Sequence, residues 1–190
     1  MIARTEKGEA IVIGVGDCRI ARLPAISLAT YALGSCIAVM AWDWKLKQGG
    51  LLHIMLPESA IDPVRAVASP WTYADTGMSA LLNELNARGS PKSQLRWSIA
   101  GGAGMMADSA HFQIGKRNHL AIKKIFWRLG LFIEREDVGG SESRSVRLDL
   151  ETGRIVMRKG IGPEQTLTEA AIFMKGIDFD GKQNDGRINR

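Results

Sequence analysis

Covalent acyl chemistry needs a nucleophile, a base and something to hold a negative oxygen, and one stretch of this chain offers candidates for all three. Cys36 directly follows Gly34-Ser35. A thiol beside such a turn can share the turn's outward backbone N–H groups with a developing oxyanion. Cys36 is thus the candidate nucleophile, and Gly34 and Ser35 are the candidate oxyanion-stabilising and substrate-positioning residues. A free thiol, with a pKa of about 8.5, is mostly protonated at neutral pH, and a nearby imidazole lowers that value and holds the thiolate as an ion pair. His53 lies 17 residues later, on the next apolar run. Facing side chains of two antiparallel neighbours are about 5 Å apart, close enough for the imidazole to take the thiol proton. The imidazole in turn needs orienting, and a Thr or Ser hydroxyl or a backbone carbonyl can fix its tautomer as an Asp or Asn does in other triads. Thr30, six residues before Cys36 on the preceding run, is the available hydroxyl.

Taken singly, these residues have an ordinary alternative. A lone cysteine in an apolar strand usually serves packing, and a histidine in Leu-Leu-His-Ile-Met-Leu is usually a satisfied interior residue. Cys18, His111 and His119 have no surrounding pattern and are assigned no chemistry. No metal and no cofactor is expected: the chain has no C-x-x-C and no H-x-x-x-H, and its three histidines could form a zinc site only from distant parts. Gly101-Gly102-Ala103-Gly104 lacks both the Lys-Ser/Thr of a phosphate loop and the full G-x-G-x-x-G, so a tight turn or close backbone packing is its expected role.

Positioning these groups requires short strands. Residues 10–15, 26–31, 36–42 and 50–56 are rich in Val, Ile, Leu and aromatics and are punctuated by Gly, Pro and Asp, which predicts strands. The polar segment 43–50 ends in Gly49-Gly50, a hairpin turn that makes the third and fourth strands neighbours. Met78, Leu81, Leu82 and Leu85 share one stripe and predict a helix over 73–88, closed by Gly89. Ala121, Ile122, Ile125 and Leu129 predict a second over 116–129, stopped by Gly130. Strands are expected at 95–100 and 131–136, and a hairpin at 146–158 around Glu151-Thr152-Gly153. Strands joined mainly by hairpins, with two amphipathic helices to cover a face, predict an α+β layered arrangement rather than an alternating βαβ one. The core is expected over 1–159, with 160–190 a partly flexible C-terminal extension whose polar end, 178–190, frays.

Composition narrows the class further. At 190 residues, 45% hydrophobic and 24% charged, the chain is a globular domain and not a collagen, coiled coil or disordered tract. The net charge of +5 is spread thinly: 9 basic against 8 acidic residues up to Leu95, then 16 against 12. No block gathers Lys and Arg with stacking aromatics, so no nucleic-acid partner is expected. Residues 23–42 carry no formal charge, but Pro24, Gly34 and Ser35 break them into two strands, so no membrane span is expected. Two cysteines and no legible signal or transit peptide suit the cytoplasm.

The stretch Thr30-Tyr-Ala-Leu-Gly-Ser-Cys36-Ile-Ala-Val, followed by His53-Ile-Met-Leu-Pro57, closely resembles the CheD family of chemoreceptor glutamine deamidases. Tyr73-Ala-Asp-Thr76, Gly101-Gly102-Ala103, Ile114-Gly115-Lys-Arg-Asn118, Glu136-Asp137-Val-Gly-Gly140 and Asp149-Leu-Glu-Thr-Gly-Arg154 are similar to that family's blocks, in order, so the resemblance spans about 10–159. It departs at Gly104, where the family commonly has Asn, and after Lys159. The resemblance implies a Cys36-His53-Thr30 triad on a layered α/β/β sandwich like that of bacterial toxin deamidases. The implied reaction converts glutamines of methyl-accepting chemotaxis receptors to glutamate through a Cys36 thioester. A CheC-type phosphatase is an implied regulatory partner. Two other readings stay open on the residues alone: a non-catalytic adaptor docking on receptors or on such a phosphatase, and a different Cys-His hydrolase such as a peptidase.

Overall fold

Residues 37–43 are apolar at every position but the last, and a strand apolar on both faces must be covered on both. The computed structural model describes residues 2–5, 8–104 and 113–169, with side chains described from residue 10 onward. The chain runs β1 (Ile2–Thr5), β2 (Gly8–Val12), β3 (Asp17–Arg22), β4 (Ser27–Leu33), β5 (Ile37–Asp43), β6 (Gln48–Ile54), α1 (Pro63–Ala68) and α2 (Ala74–Ala87). It continues through β7 (Leu95–Gly101), α3 (Ile114–Leu129), β8 (Ile133–Val138), β9 (Arg144–Asp149), β10 (Ile155–Lys159) and β11 (Glu164–Thr168). One sheet has the order β1-β2-β4-β9-β10-β11 and the other β3-β6-β5-β7-β8. His111 and the expected fraying at 178–190 lie outside the described residues.

β5 is covered as its pattern requires. Ile37, Val39 and Ala41 pack with Met78, Leu81 and Leu85 of α2 and with Ile122, Ile125 and Phe126 of α3. Ala38, Met40 and Trp42 point the other way and pack with Leu28, Val146, Leu148 and Ile155 of the six-stranded sheet. The result is the expected layered sandwich: helices, five-stranded sheet, six-stranded sheet. Each large aliphatic side chain in these two cores contributes roughly 1.5–3 kcal/mol by leaving water. Trp97 of β7 meets Phe126 of α3 edge-on at 5.5 Å between ring centroids, fixing that helix on its sheet. Trp42 Nε1 donates to Leu150 O at 2.9 Å and ties the two sheets together.

The expected neighbours β5 and β6 pair antiparallel, with Ala38 opposite His53. Most ladders are antiparallel, but β2 pairs parallel with β4, and β7 pairs parallel with β8 across α3. The connection β7-α3-β8 is therefore a crossover unit, and β2 and β4 are joined through β3 of the other sheet. The strands β1, β3 and β11 are additions to the sequence expectation. Asp-Cys-Arg-Ile-Ala-Arg in β3 is half polar because it occupies a sheet edge. α1 is another addition, started by Pro63 and capped by Asp62, whose Oδ1 accepts from Arg65 N at 3.0 Å. Past Lys159, β11 lies against β10, and Thr168 Oγ1 is 3.2 Å from Ser98 Oγ.

The uncharged stretch 23–42 becomes β4 and β5, which belong to different sheets. Among the described residues no helix is long and apolar enough to cross a membrane. Residues 34–36 are the crossing from one sheet to the other. Just before it, Tyr31 and Ala32 of β4 face the single residue Ser145 of β9, a bulge with Ala32 at φ 54°. The bulge shifts the phase of β4 so that Thr30 and Leu33 are both buried while Tyr31 and Ala32 are exposed. On the far side, Gly101 has φ 120°, and a Cβ built there would lie 2.2 Å from Cys36 O. Close backbone packing is thus what this glycine provides. Gly101→Ala should cost roughly 2–4 kcal/mol of stability through backbone strain and displacement of the crossing. Chemical denaturation measures this, and a midpoint unchanged from the parent would contradict it.

Candidate active site

Period-two alternation turns Ala38 and Leu51 toward the six-stranded sheet, and His53, two residues from Leu51, shares their face. Its imidazole is 2% exposed and meets Thr30 of β4, which is fully buried. Thr30 Oγ1 lies 2.8 Å from His53 Nδ1 and donates to Ile13 O, also at 2.8 Å. These two contacts settle the tautomer. A hydroxyl has one proton and a carbonyl can only accept, so the Thr30 proton goes to Ile13 and Nδ1 carries the proton that Oγ1 accepts. The lone pair is then on Nε2, which is buried and has no hydrogen-bond partner among the described residues. The backbone of His53 is held on both sides, opposite Ala38 of β5 and Asp17 of β3, with Gly16 N–H donating to its carbonyl at 2.9 Å.

Cys36 is half-buried and packs into the same layer between the sheets. It is not directly opposite His53, as the hairpin geometry predicted, because Ala38 holds that place. Cys36 precedes Ala38 by two residues and is the diagonal neighbour, a backbone separation of roughly 7–8 Å that an imidazole and a thiol can span. No hydrogen bond joins the two side chains in this resting arrangement; Thr30 and His53 are locked together, while Cys36 is adjacent to them.

The crossing that carries Cys36 is held by its carbonyls. Ala103 N–H donates to Gly34 O at 2.8 Å, and Gly102 N–H donates to Cys36 O at 2.7 Å. Asn118 Nδ2 donates to Ser35 O at 3.0 Å. No N–H of Ser35 or Cys36 is donated to another described residue. Asn118 and Ile13 O were given no role from sequence. The signal for Asn118 was its place in Ile114-Gly115-Lys-Arg-Asn118: Gly115 and Asn118 share a helix face, and both are buried. A polar side chain on a buried face has to find partners inside.

Electrostatics corrects one expectation. Burial pushes the Cys36 thiol up, with its own backbone N–H a smaller opposing influence, and burial holds the His53 imidazole down at about 4. A thiolate–imidazolium pair at rest is therefore replaced by a neutral thiol beside a neutral imidazole. The cause is burial, and the orienting partner does not offset it: Thr30 is uncharged and offers an imidazolium none of the stabilisation that a carboxylate would. Cys18 is a core residue with a thiol pushed up to about 12, chiefly by burial. His119 lies on the outer side of α3 near Glu136, with Nε2 and Oε2 3.4 Å apart. Among the described residues no three His, Cys, Asp or Glu side chains converge on a metal position.

The shift of His53 has a thermodynamic consequence. The unfolded chain binds the proton at the ordinary value of 6.5 and the folded chain only at about 4. Stability is accordingly full above pH 6.5 and is lost as pH falls toward 4, by up to about 3 kcal/mol. A His53→Gln protein should show a flatter dependence across that window in denaturant titrations. Equal slopes for the two proteins would contradict the burial account.

Similarity to known proteins places this arrangement in context. The family profile described as CheD chemotactic sensory transduction matches residues 55–159. A "Probable chemoreceptor glutamine deamidase CheD" of Solibacter usitatus is 47% identical over 151 residues, covering 80% of this chain and 89% of the relative. The "Chemoreceptor glutamine deamidase CheD" of Thermotoga maritima is 39% identical over 154 residues, covering 81% of this chain and 94% of the relative. A "Probable chemoreceptor glutamine deamidase CheD" of Pyrococcus abyssi is 40% identical over 154 residues, covering 80% and 93%. With identities of this size over most of both chains, on the α+β sandwich described above, the chain belongs to the CheD family.

Proposed function

We propose that this chain is a chemoreceptor glutamine deamidase that works in the cytoplasm through Cys36, His53 and Thr30. The observation that carries the reading is the tautomer of His53: with Nδ1–H given to Thr30, the one free lone pair is on Nε2, on the face it shares with the thiol. The names of the relatives supply the substrate class. The two unpaired cysteines suit a reducing compartment.

The chemistry follows from groups already placed. The Cys36 proton moves to His53 Nε2 as sulfur attacks the glutamine carboxamide carbon, so charge separates only as the C–S bond forms. Negative charge collects on the carboxamide oxygen, where the N–H groups of Ser35 and Cys36 can receive it. The tetrahedral intermediate collapses as the His53 Nε2 proton passes to the departing nitrogen, and ammonia leaves a Cys36 thioester. Water then attacks the thioester carbonyl, giving its proton to Nε2, and sulfur leaves and recovers that proton. The balance is glutamine plus water to glutamate plus ammonia. Burial keeps the imidazole neutral at working pH, in the form that can accept a proton, and at the same time makes it a weaker base, so proton transfer has to accompany C–S bond formation.

Mass spectrometry of a receptor cytoplasmic fragment incubated with the protein should show glutamine converted to glutamate. Cys36→Ala should reduce the rate by roughly 10⁴-fold or more while leaving the fold intact. Conversion undiminished in Cys36→Ala would refute the assignment. The acid limb of kcat/KM should lie well below the ordinary imidazole value of 6.5, near 4. An acid limb at 6.5 would show that His53 is not the base or is not buried during the reaction.

A further inference from the structure

Three consecutive carbonyls at the crossing accept hydrogen bonds, and only one of the three donors is a side chain. Gly34 O and Cys36 O are held by the backbone of Ala103 and Gly102, while Ser35 O is held by Asn118 Nδ2. The second proton of the same Nδ2 goes to Met55 O at 3.0 Å, immediately beyond the strand that carries His53. Asn118 is fully buried. One amide thus joins the loop of the nucleophile to the end of the strand of the base.

Peptide planarity converts these bonds into an orientation. In a trans peptide the carbonyl of one residue and the N–H of the next point in opposite directions across a rigid plane. Pulling Ser35 O toward Asn118 therefore turns the Cys36 N–H away from it, and pulling Gly34 O toward Ala103 does the same for the Ser35 N–H. These are the two N–H groups that no other described residue accepts, that of Cys36 lying toward its own thiol. Resting on the deamidase reading above, we propose that Asn118 is a positioning residue for the oxyanion hole, setting the direction of the Cys36 N–H without touching substrate.

The surrounding sequence is built to allow this. A Cβ on Gly115, three residues before Asn118, would lie 2.5 Å from Gly102 O and 2.7 Å from Ala103 O. Glycine there lets the first turn of α3 approach the loop closely enough for a side chain as short as asparagine to reach Ser35. The amide orientation is also determined. Asn118 Oδ1 has no partner, and turning the group over would set that oxygen against two carbonyls.

The test separates donation from packing. Asn118→Asp keeps the shape and loses the donors, and Asn118→Ala loses both. In each, kcat on a receptor fragment should fall about 10²-fold, with KM close to the parent value. Alkylation of Cys36 by iodoacetamide, a displacement at carbon that develops no oxyanion, should keep its parent rate. A folded Asn118→Asp protein with parent kcat would overturn the proposal, as would an alkylation rate that falls in step with kcat, since that would mean a disordered loop. Should neither variant fold, the parent protein decides. A receptor peptide carrying an aldehyde in place of the glutamine carboxamide adds to Cys36, and the amide resonances of Ser35 and Cys36 should move downfield on addition; unmoved amides would overturn it. A parent protein that deamidates nothing would instead refute the reading on which the proposal rests.

Discussion

The site depends on where the chain changes sheets. β4 belongs to the six-stranded sheet and β5 to the five-stranded one, so residues 34–36 lie in neither ladder and need other partners for their backbone groups. All three carbonyls find them on one side, in the segment 101–103 and at Asn118. A loop satisfied on its carbonyl side alone has its N–H side left over. The two N–H groups left over at the crossing are therefore a by-product of how the sheets are joined, and the Cys36 thiol sits beside them. The same crossing explains how the three residues converge. Thr30 comes from the sheet the chain is leaving, Cys36 immediately precedes the strand it is entering, and His53 lies on that strand's hairpin partner.

Much of this was legible in the residues. The apolar run at 37–43 announced a strand buried on both faces, and the polar turn ending in Gly49-Gly50 announced its pairing with β6, because both signals are local. Cys36, His53 and Thr30 could be singled out as candidates because their types restrict what they can do, and the structure gathers them in one layer. What escaped was whatever depends on distant partners. β3 carries two arginines and an aspartate, and it forms a strand only because β6 offers it an edge. The parallel pairing of β7 and β8 is invisible to any pattern within either strand. Asn118 could be quoted as part of a motif, but its two carbonyl partners lie 83 and 63 residues away in sequence.

The protonation state at rest was the feature sequence reasoning got backwards, and the reason is instructive. Cysteine next to histidine suggests an ion pair when the pair is imagined near water or beside a carboxylate. Here both groups lie between two sheets, and the third member is a hydroxyl. Thr30 is itself fully committed, donating to Ile13 O while accepting from Nδ1. It fixes the imidazole in direction and tautomer while adding no charge, so nothing offsets the cost of burying an imidazolium.

On the deamidase reading proposed above, such a site has to be switched on by what binds to it. With neutral partners at rest, the thiol is a poor nucleophile until a carbonyl is near enough for bond formation to draw the proton away, and the charge that then appears is on the carbonyl oxygen. The half-buried thiol is open to an incoming side chain, whereas the imidazole, 2% exposed, is shielded from competing water and stray electrophiles. Reactivity is thereby tied to occupancy. On the same proposed reading, a substrate that sets its carboxamide against the N–H groups of the crossing would supply developing charge for them to receive, and a thiol-reactive small molecule that develops no such charge would gain nothing from them. Selectivity for a carboxamide over a simple electrophile would then follow from burial and from the orientation of two peptide planes.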